Sequence, residues 1–196
     1  MTDFLKSLRN IYISPRWILW GIGGLFVAGI IHVAILLNVP GYVPHSPYER
    51  VGSFGMDRSF QVLPPILPRS EPLPDLDPSM RHAICRYSLE NGPLVVRAVA
   101  PSPFWSLGLF NEKGQVTYSL NDRTSEGEVV TMLVLTPQQL SILRENPPDN
   151  LEEIIVVETN ELKGFALFRA FVPSSAYLPR IAEALRSATC SGLPNA

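Results

Sequence analysis

The sequence is short of charge. Asp, Glu, Lys and Arg make up 17% of its 196 residues, against about 25% in an average soluble protein. The formal balance is −2, so the cationic excess that drives binding to a phosphate backbone is missing, which argues against nucleic acid as a partner. Histidine is scarce too. Of three imidazoles, only His45 and His82 lie outside the apolar run described below, too few for a metal site built on several of them. Two cysteines cannot staple a disulfide-dense mini-protein. There is no nucleophile elbow, no phosphate-cradling glycine loop and no zinc-ligand spacing. No catalytic residue, cofactor or metal ligand is assigned from these residues. What is plentiful is apolar and proline content, 46% and 19 residues, with a mean hydropathy of +0.14. That is too apolar for a chain disordered throughout.

The apolar excess is concentrated. Trp17 to Val39 contains no Asp, Glu, Lys or Arg. At about 1.5 Å per residue this run spans about 34 Å as a helix, enough to cross a hydrocarbon core with some tilt. Ser14 is placed to cap the helix and Pro15 to occupy its first turn, where a missing N–H costs nothing. Pro40 and Gly41 stop it, while Trp17, Trp20 and Tyr42 suit the two interfaces. The run is longer than the apolar core of a signal peptide and no Ala-x-Ala-like cleavage site follows, so an uncleaved anchor is expected over 15–39. Lys6, Arg9 and Arg16 precede it, and Arg50 is the first cation after it. That asymmetry puts residues 1–14 in the cytoplasm and the remainder across a bacterial inner membrane, in the periplasm. Phe4, Leu8, Ile11 and Tyr12 recur at helical spacing, which fits a short interfacial helix or a frayed tail. Within the span, Gly21, Gly24, Ala28 and His32 share one helix face. Small residues at that spacing admit a second helix, from a protein partner or from a second copy of this chain in self-association, and His32 is an ionisable group whose options are a proton path or a hydrogen bond to a neighbouring helix or to the interface.

Nine prolines between Pro40 and Pro78 mark residues 40–79 as a linker, a polyproline-like spacer that either holds the following domain off the membrane or packs along its surface. Phe54, Met56 and Phe60 give 51–62 enough apolar content to dock as a short strand or turn. Residues 80–196 read as a β-rich domain. Ala83–Leu89 alternates, with Ala83, Cys85, Tyr87 and Leu89 on one face. Asn91-Gly92 then signals a hairpin to Leu94–Ala100. Phe104–Phe110, a Glu-Lys-Gly turn, Val116–Leu120, a doubly apolar central strand Val129–Leu135, Ile154–Val157 and Phe165–Val172 follow. One helix opens at Thr136-Pro137, with Leu140 and Leu143 inward, and a second covers Pro179–Ala188, with Ile181, Ala184, Leu185 and Ala188 on its inner face. The expected class is α+β, a mainly antiparallel sheet or sandwich with two packed helices behind a membrane-spanning helix.

Few of the remaining residues point to chemistry. His82 and Cys85, three apart on an alternating strand, face opposite ways and cannot pair as base and nucleophile. Phe104 and Trp105 line a ligand pocket or partner surface, or join the core. Asn121, Asp122 and Arg123 form a polar turn or a ligand contact. Cys85 and Cys190 would be bonded in an oxidising compartment, but on a continuous terminal helix Cys190 falls opposite Ile181, so the helix has to end near Ala188 for the pair to close. Both the bonded and the free states remain open on the residues alone.

The segments Cys85-Arg-Tyr-Ser-Leu-Glu-Asn-Gly-Pro-Leu-Val-Val, Pro103-Phe-Trp-Ser-Leu-Gly-Leu-Phe, Tyr118-Ser-Leu-Asn-Asp-Arg123 and Gly164-Phe-Ala-Leu-Phe-Arg-Ala-Phe-Val172 resemble the family called domain of unknown function 1254, in its short, membrane-anchored alphaproteobacterial form. The resemblance implies a β-rich periplasmic domain on a single anchor and no established activity. Where larger relatives carry an Asn-x-Asp-Thr-type stretch before the first strand, this chain reads Asp77-Pro-Ser-Met-Arg-His82. Three functions remain in contention: an anchored envelope module that binds a protein or a small apolar ligand, a subunit of a membrane complex assembled through the helix face of Gly24, Ala28 and His32, and an enzyme whose polar groups the sequence does not reveal.

Overall fold

The computed structural model of the protein describes residues 15–38, 46–101, 103–124, 127–145 and 154–193. The expectations for the tail 1–14, Ser14 included, for the Pro40-Gly41 stop and for Tyr42 lie outside these. The chain divides into two units, residues 1–44 and residues 45–196.

The first unit is helix α1, Pro15–Asn38. It is long and apolar enough to cross a membrane, and its side chains from Trp17 to Leu37 are exposed.

The second unit is a two-layer β-sandwich. Its strands are β1 Gln61–Val62, β2 Met80–Ser88, β3 Leu94–Val99, β4 Trp105–Asn111, β5 Val116–Asn121, β6 Val129–Leu135, β7 Ile155–Glu158, β8 Lys163–Phe171 and β9 Thr189–Gly192. The helices are α2 Pro47–Gly52, α3 Pro137–Glu145 and α4 Leu178–Ser187. One sheet has the order β1-β2-β8-β4-β5 and the other β7-β6-β3-β9. Every pairing is antiparallel except β6 with β7. Two parallel neighbours need a long return path, and α3 lies on it.

Period-2 alternation builds the core. Ala83, Cys85 and Tyr87 of β2, Leu107 and Leu109 of β4, and Ala166, Phe168 and Ala170 of β8 meet Leu94 and Val96 of β3 and Met132 and Val134 of β6 between the sheets. Ile181 and Leu185 of α4 close one side. Each fully buried Leu or Ile here is stabilised by about 1.5–3 kcal/mol relative to exposure. At Gly164 of β8 the packing leaves no room for a side chain: a Cβ would overlap the carbonyl oxygen of Phe110 and the ring of Tyr87.

Two expectations change. The Asn91-Gly92 signal does not make a hairpin between β2 and β3. The chain makes a 3-10 turn at Leu89–Asn91, uses the left-handed freedom of Gly92 (φ +99°), and crosses from one sheet to the other. Both strands place alternate apolar residues toward the same core, so they face each other across it. The carbonyls of Ser88 and Gly92 are instead taken by the Arg58 guanidinium, at 2.8 Å each. The second change is β9, which pairs with β3 and sets Cys190 beside Val96. Helix α4 ends at Ser187, and Ala188 turns extended (φ −62°, ψ 135°).

Much of the proline-rich stretch packs on the outer face of the five-stranded sheet. Ser46 and Glu49 form a reciprocal capping box with Pro47 in the first turn, which is how a short helix forms among prolines. Val51 of α2 and Leu63 pack on Ile84, Phe165 and Leu167, with Phe54, Leu73 and Leu76 beside them. Arg86 pairs with Asp57 and lies 5.0 Å from the ring centre of Tyr48.

Candidate functional site

The register of the five-stranded sheet creates a feature that no local stretch of sequence shows. His82 of β2 stands opposite Arg169 of β8, Arg169 stands opposite Ser106 of β4, and Ser106 stands opposite Asn121 of β5. Directly paired residues share a sheet face, so four polar side chains form one transverse row across four strands. Core-facing neighbours such as Ala83, Leu107 and Phe168 point the other way. The row therefore lies on the outer face, next to the Ile84–Leu167–Gly108 row.

Within the row, Arg169 Nε donates to Ser106 Oγ at 2.5 Å. Ser106 is 4% exposed and His82 is 3% exposed, whereas Arg169 reaches solvent. Burial holds the His82 imidazole down to about 4, reinforced by the positive charges of Arg169 and Arg81 and opposed by Asp77. His82 is thus neutral near pH 7. Asp77 sits at the margin, its carboxyl held below the usual range chiefly by hydrogen bonds from the Ser79 hydroxyl and backbone N–H, at 2.7 and 2.8 Å.

The residues singled out from sequence are placed as follows. Cys85 and Cys190 form a disulfide, Cα atoms 6.5 Å apart; the early end of α4 removes the helix-wheel objection. His82 and Cys85 do face opposite ways, Cys85 into the core. Trp105 is not a partner surface: it is 4% exposed and meets Phe168 edge-on inside the sandwich, centroids 6.2 Å apart, because its register puts it on the core face of β4. Phe104 is half-buried and its carbonyl accepts from Phe171 N. Asn121 belongs to the row. Its Oδ1 accepts from Arg123 N at 3.0 Å, and its N–H donates to Thr124 Oγ1 at 2.9 Å, a side-chain-stabilised turn. Asp122 Oδ1 is buried without a partner. Gly21, Gly24, Ala28 and His32 lie exposed along α1, with nothing within 4 Å of a Cβ built at either glycine. Among the described residues, no three His, Cys, Asp or Glu side chains converge to hold a metal ion.

Sequence reasoning missed His82, Ser106 and Arg169 as one group. The available signal was small: Arg169 is the one charge within Gly164–Val172, on the same strand face as Phe165 and Leu167.

A two-sheet sandwich with a mixed, largely antiparallel topology and an outer-face polar row defines an α+β module. The profile of the family described as "Protein of unknown function (DUF1254)" matches residues 75–191, and the chain belongs to that family. No curated protein matches it. Among solved structures, the VPA0106 protein of Vibrio parahaemolyticus is similar in fold, with a TM-score of 0.54 at 11% identity over 76% of this chain and 35% of that one. An uncharacterised protein from Burkholderia cenocepacia matches at a TM-score of 0.43 and 14% identity over 68% of this chain and 34% of its own. The chain thus spans about a third of the length of each structure.

Proposed function

We propose that this chain is a single-pass envelope protein whose α1 anchors it in a bacterial inner membrane, with residues 1–14 cytoplasmic and the sandwich in the periplasm, where it binds another protein through its surface. The observation that carries the binding reading is the filled interior. Among the described residues, side chains of both layers and α4 fill the space between the sheets, which supports recognition at the outer surface. The length and apolar composition of α1, the excess of cations before it and a disulfide suited to an oxidising compartment support the anchor and its orientation. A second reading, an accessory subunit held through the span, is favoured by the Gly21–Gly24–Ala28–His32 face, where small residues permit close helix approach.

Site-specific photo-crosslinking in living cells tests this. With the full chain carrying the crosslinker in place of Arg123, beside the polar row, a discrete higher-mass species is expected. The same crosslinker in place of Ile142, an exposed residue of α3, should give none. Absence of product at both positions contradicts surface binding by this face. Product from position 24 of α1 alone supports the accessory-subunit reading instead.

A further inference from the structure

We propose that the row His82–Arg169–Ser106–Asn121 is a carboxylate-binding site, through which the sandwich takes an acidic side chain or a chain terminus of its partner; this rests on the protein-binding reading and specifies it.

Donors outnumber acceptors along the row. Ser106 Oγ accepts from Arg169 Nε, so its own hydrogen is directed elsewhere. Asn121 Oδ1 is occupied by Arg123 N and Thr124 Oγ1, which leaves the Asn121 amide N–H groups to donate outward. The terminal nitrogens of Arg169 have no acceptor among the described residues, and Arg169 forms no ion pair there. Among the described residues, Arg169 and Asn121 therefore present donors with no acceptor to meet them, and the buried Ser106 hydroxyl adjoins Arg169.

Geometry makes this more than a solvated surface arginine. A free arginine side chain loses considerable rotamer entropy on capture. Arg169 is already pinned at Nε by a buried hydroxyl, so its outer nitrogens are preset. A guanidinium held in this way matches the two oxygens of a planar carboxylate. The charge balance also favours a singly charged anion. His82 is neutral and adds no cation. Arg81 adds a positive charge near His82, and Asp77 acts electrostatically on His82 and Arg169, yet it is bonded to Ser79 and is not an ion-pair partner of Arg169. One guanidinium fork matches one singly charged carboxylate, whereas a phosphate dianion would leave a charge unmet.

The test uses the full chain in detergent micelles, with the Arg169 Nε–Hε resonance, assigned by its loss in Arg169→Gln, followed during titration with sodium acetate, acetamide and inorganic phosphate at constant ionic strength. A saturable shift with acetate and none with acetamide is expected. The acetate midpoint should rise about fivefold in Ser106→Ala, as one charge-assisted contact is lost. A linear response, an equal response to acetamide, tighter saturation by phosphate, or an unchanged midpoint in Ser106→Ala overturns the site. Since Ser106→Ala shortens one buried side chain, an unchanged thermal midpoint shows that the fold is intact. Crosslinking at position 123 is read separately, so loss of the acetate response with crosslinking preserved removes the carboxylate site alone.

Discussion

Breaking the Cys85–Cys190 bond should cost the sandwich a large part of its stability. The bond joins β2 of one sheet to β9 of the other across a sequence separation of 105 residues. In the chain-entropy treatment, a loop of that length removes about 16 cal/mol/K from the unfolded state, or about 4.8 kcal/mol at 25 °C. At a slope of about 2 kcal/mol/M the urea midpoint should then fall by about 2.4 M. The perturbation is the double substitution Cys85→Ala/Cys190→Ala, with the parent chain refolded under reductant as its companion. Both sulfurs are buried, so the substitution also removes core contacts, whereas reduction leaves the atoms in place. Agreement between the two assigns the loss to the cross-link. Tryptophan fluorescence is a direct assay, because Trp105 sits between the sheets while Trp17 and Trp20 of α1 are exposed and contribute a background. A double variant whose midpoint lies within about 0.3 M of the parent, well below the expected change, would show that the cross-link contributes little. So would a loss seen on substitution and not on reduction.

Acid should weaken the domain through His82. Its imidazole titrates near 4 when folded and near 6.5 when unfolded, so the unfolded chain takes up the proton first. Stability is complete above about pH 6.5 and falls as pH drops toward 4, by about 3 kcal/mol at most; urea midpoints from pH 7.5 to 4.5 should show the decline, and His82→Gln should flatten it. Arg58→Ala removes two charge-assisted hydrogen bonds to the Ser88 and Gly92 carbonyls, and calorimetry should show a melting point lower by about 4–8 °C for about 2 kcal/mol. Arg58 has φ +57°, so Arg58→Gly separates the effects: a rise in melting point would mean that backbone strain outweighs the bonds. Gly164→Ala, forced against the Phe110 backbone, should destabilise by about 1–3 kcal/mol in denaturant, and a neutral outcome would mean that β4 and β8 can part locally.

Elements that alternate or repeat on their own were legible in sequence. β2, β4, β6 and β8 each carry a full apolar face, and α4 declares Ile181, Ala184 and Leu185 at helical spacing. What failed was information about partners. Asn91-Gly92 specifies a local turn and cannot say whether the strands beside it pair or face each other across a core. β9 is four residues long and follows a helix without a glycine or proline boundary, so its membership in a sheet depends on the open edge of β3. The polar row is the extreme case. His82, Ser106, Asn121 and Arg169 are unremarkable one by one, and only the pairing of four strands aligns them. Trp105 shows the converse: an aromatic eligible for a surface is claimed by the core once the register of β4 is known.

An anchored envelope module requires the sandwich to lie on the outer side of the membrane. Met56 is exposed, and a Met56→Cys chain can be offered a membrane-impermeant thiol reagent in intact spheroplasts. Labelling of one thiol per chain is the predicted result, with position 56 reachable from outside and Cys85 and Cys190 silent in their bond. Labelling that appears only after detergent lysis, or three thiols per chain, would contradict it.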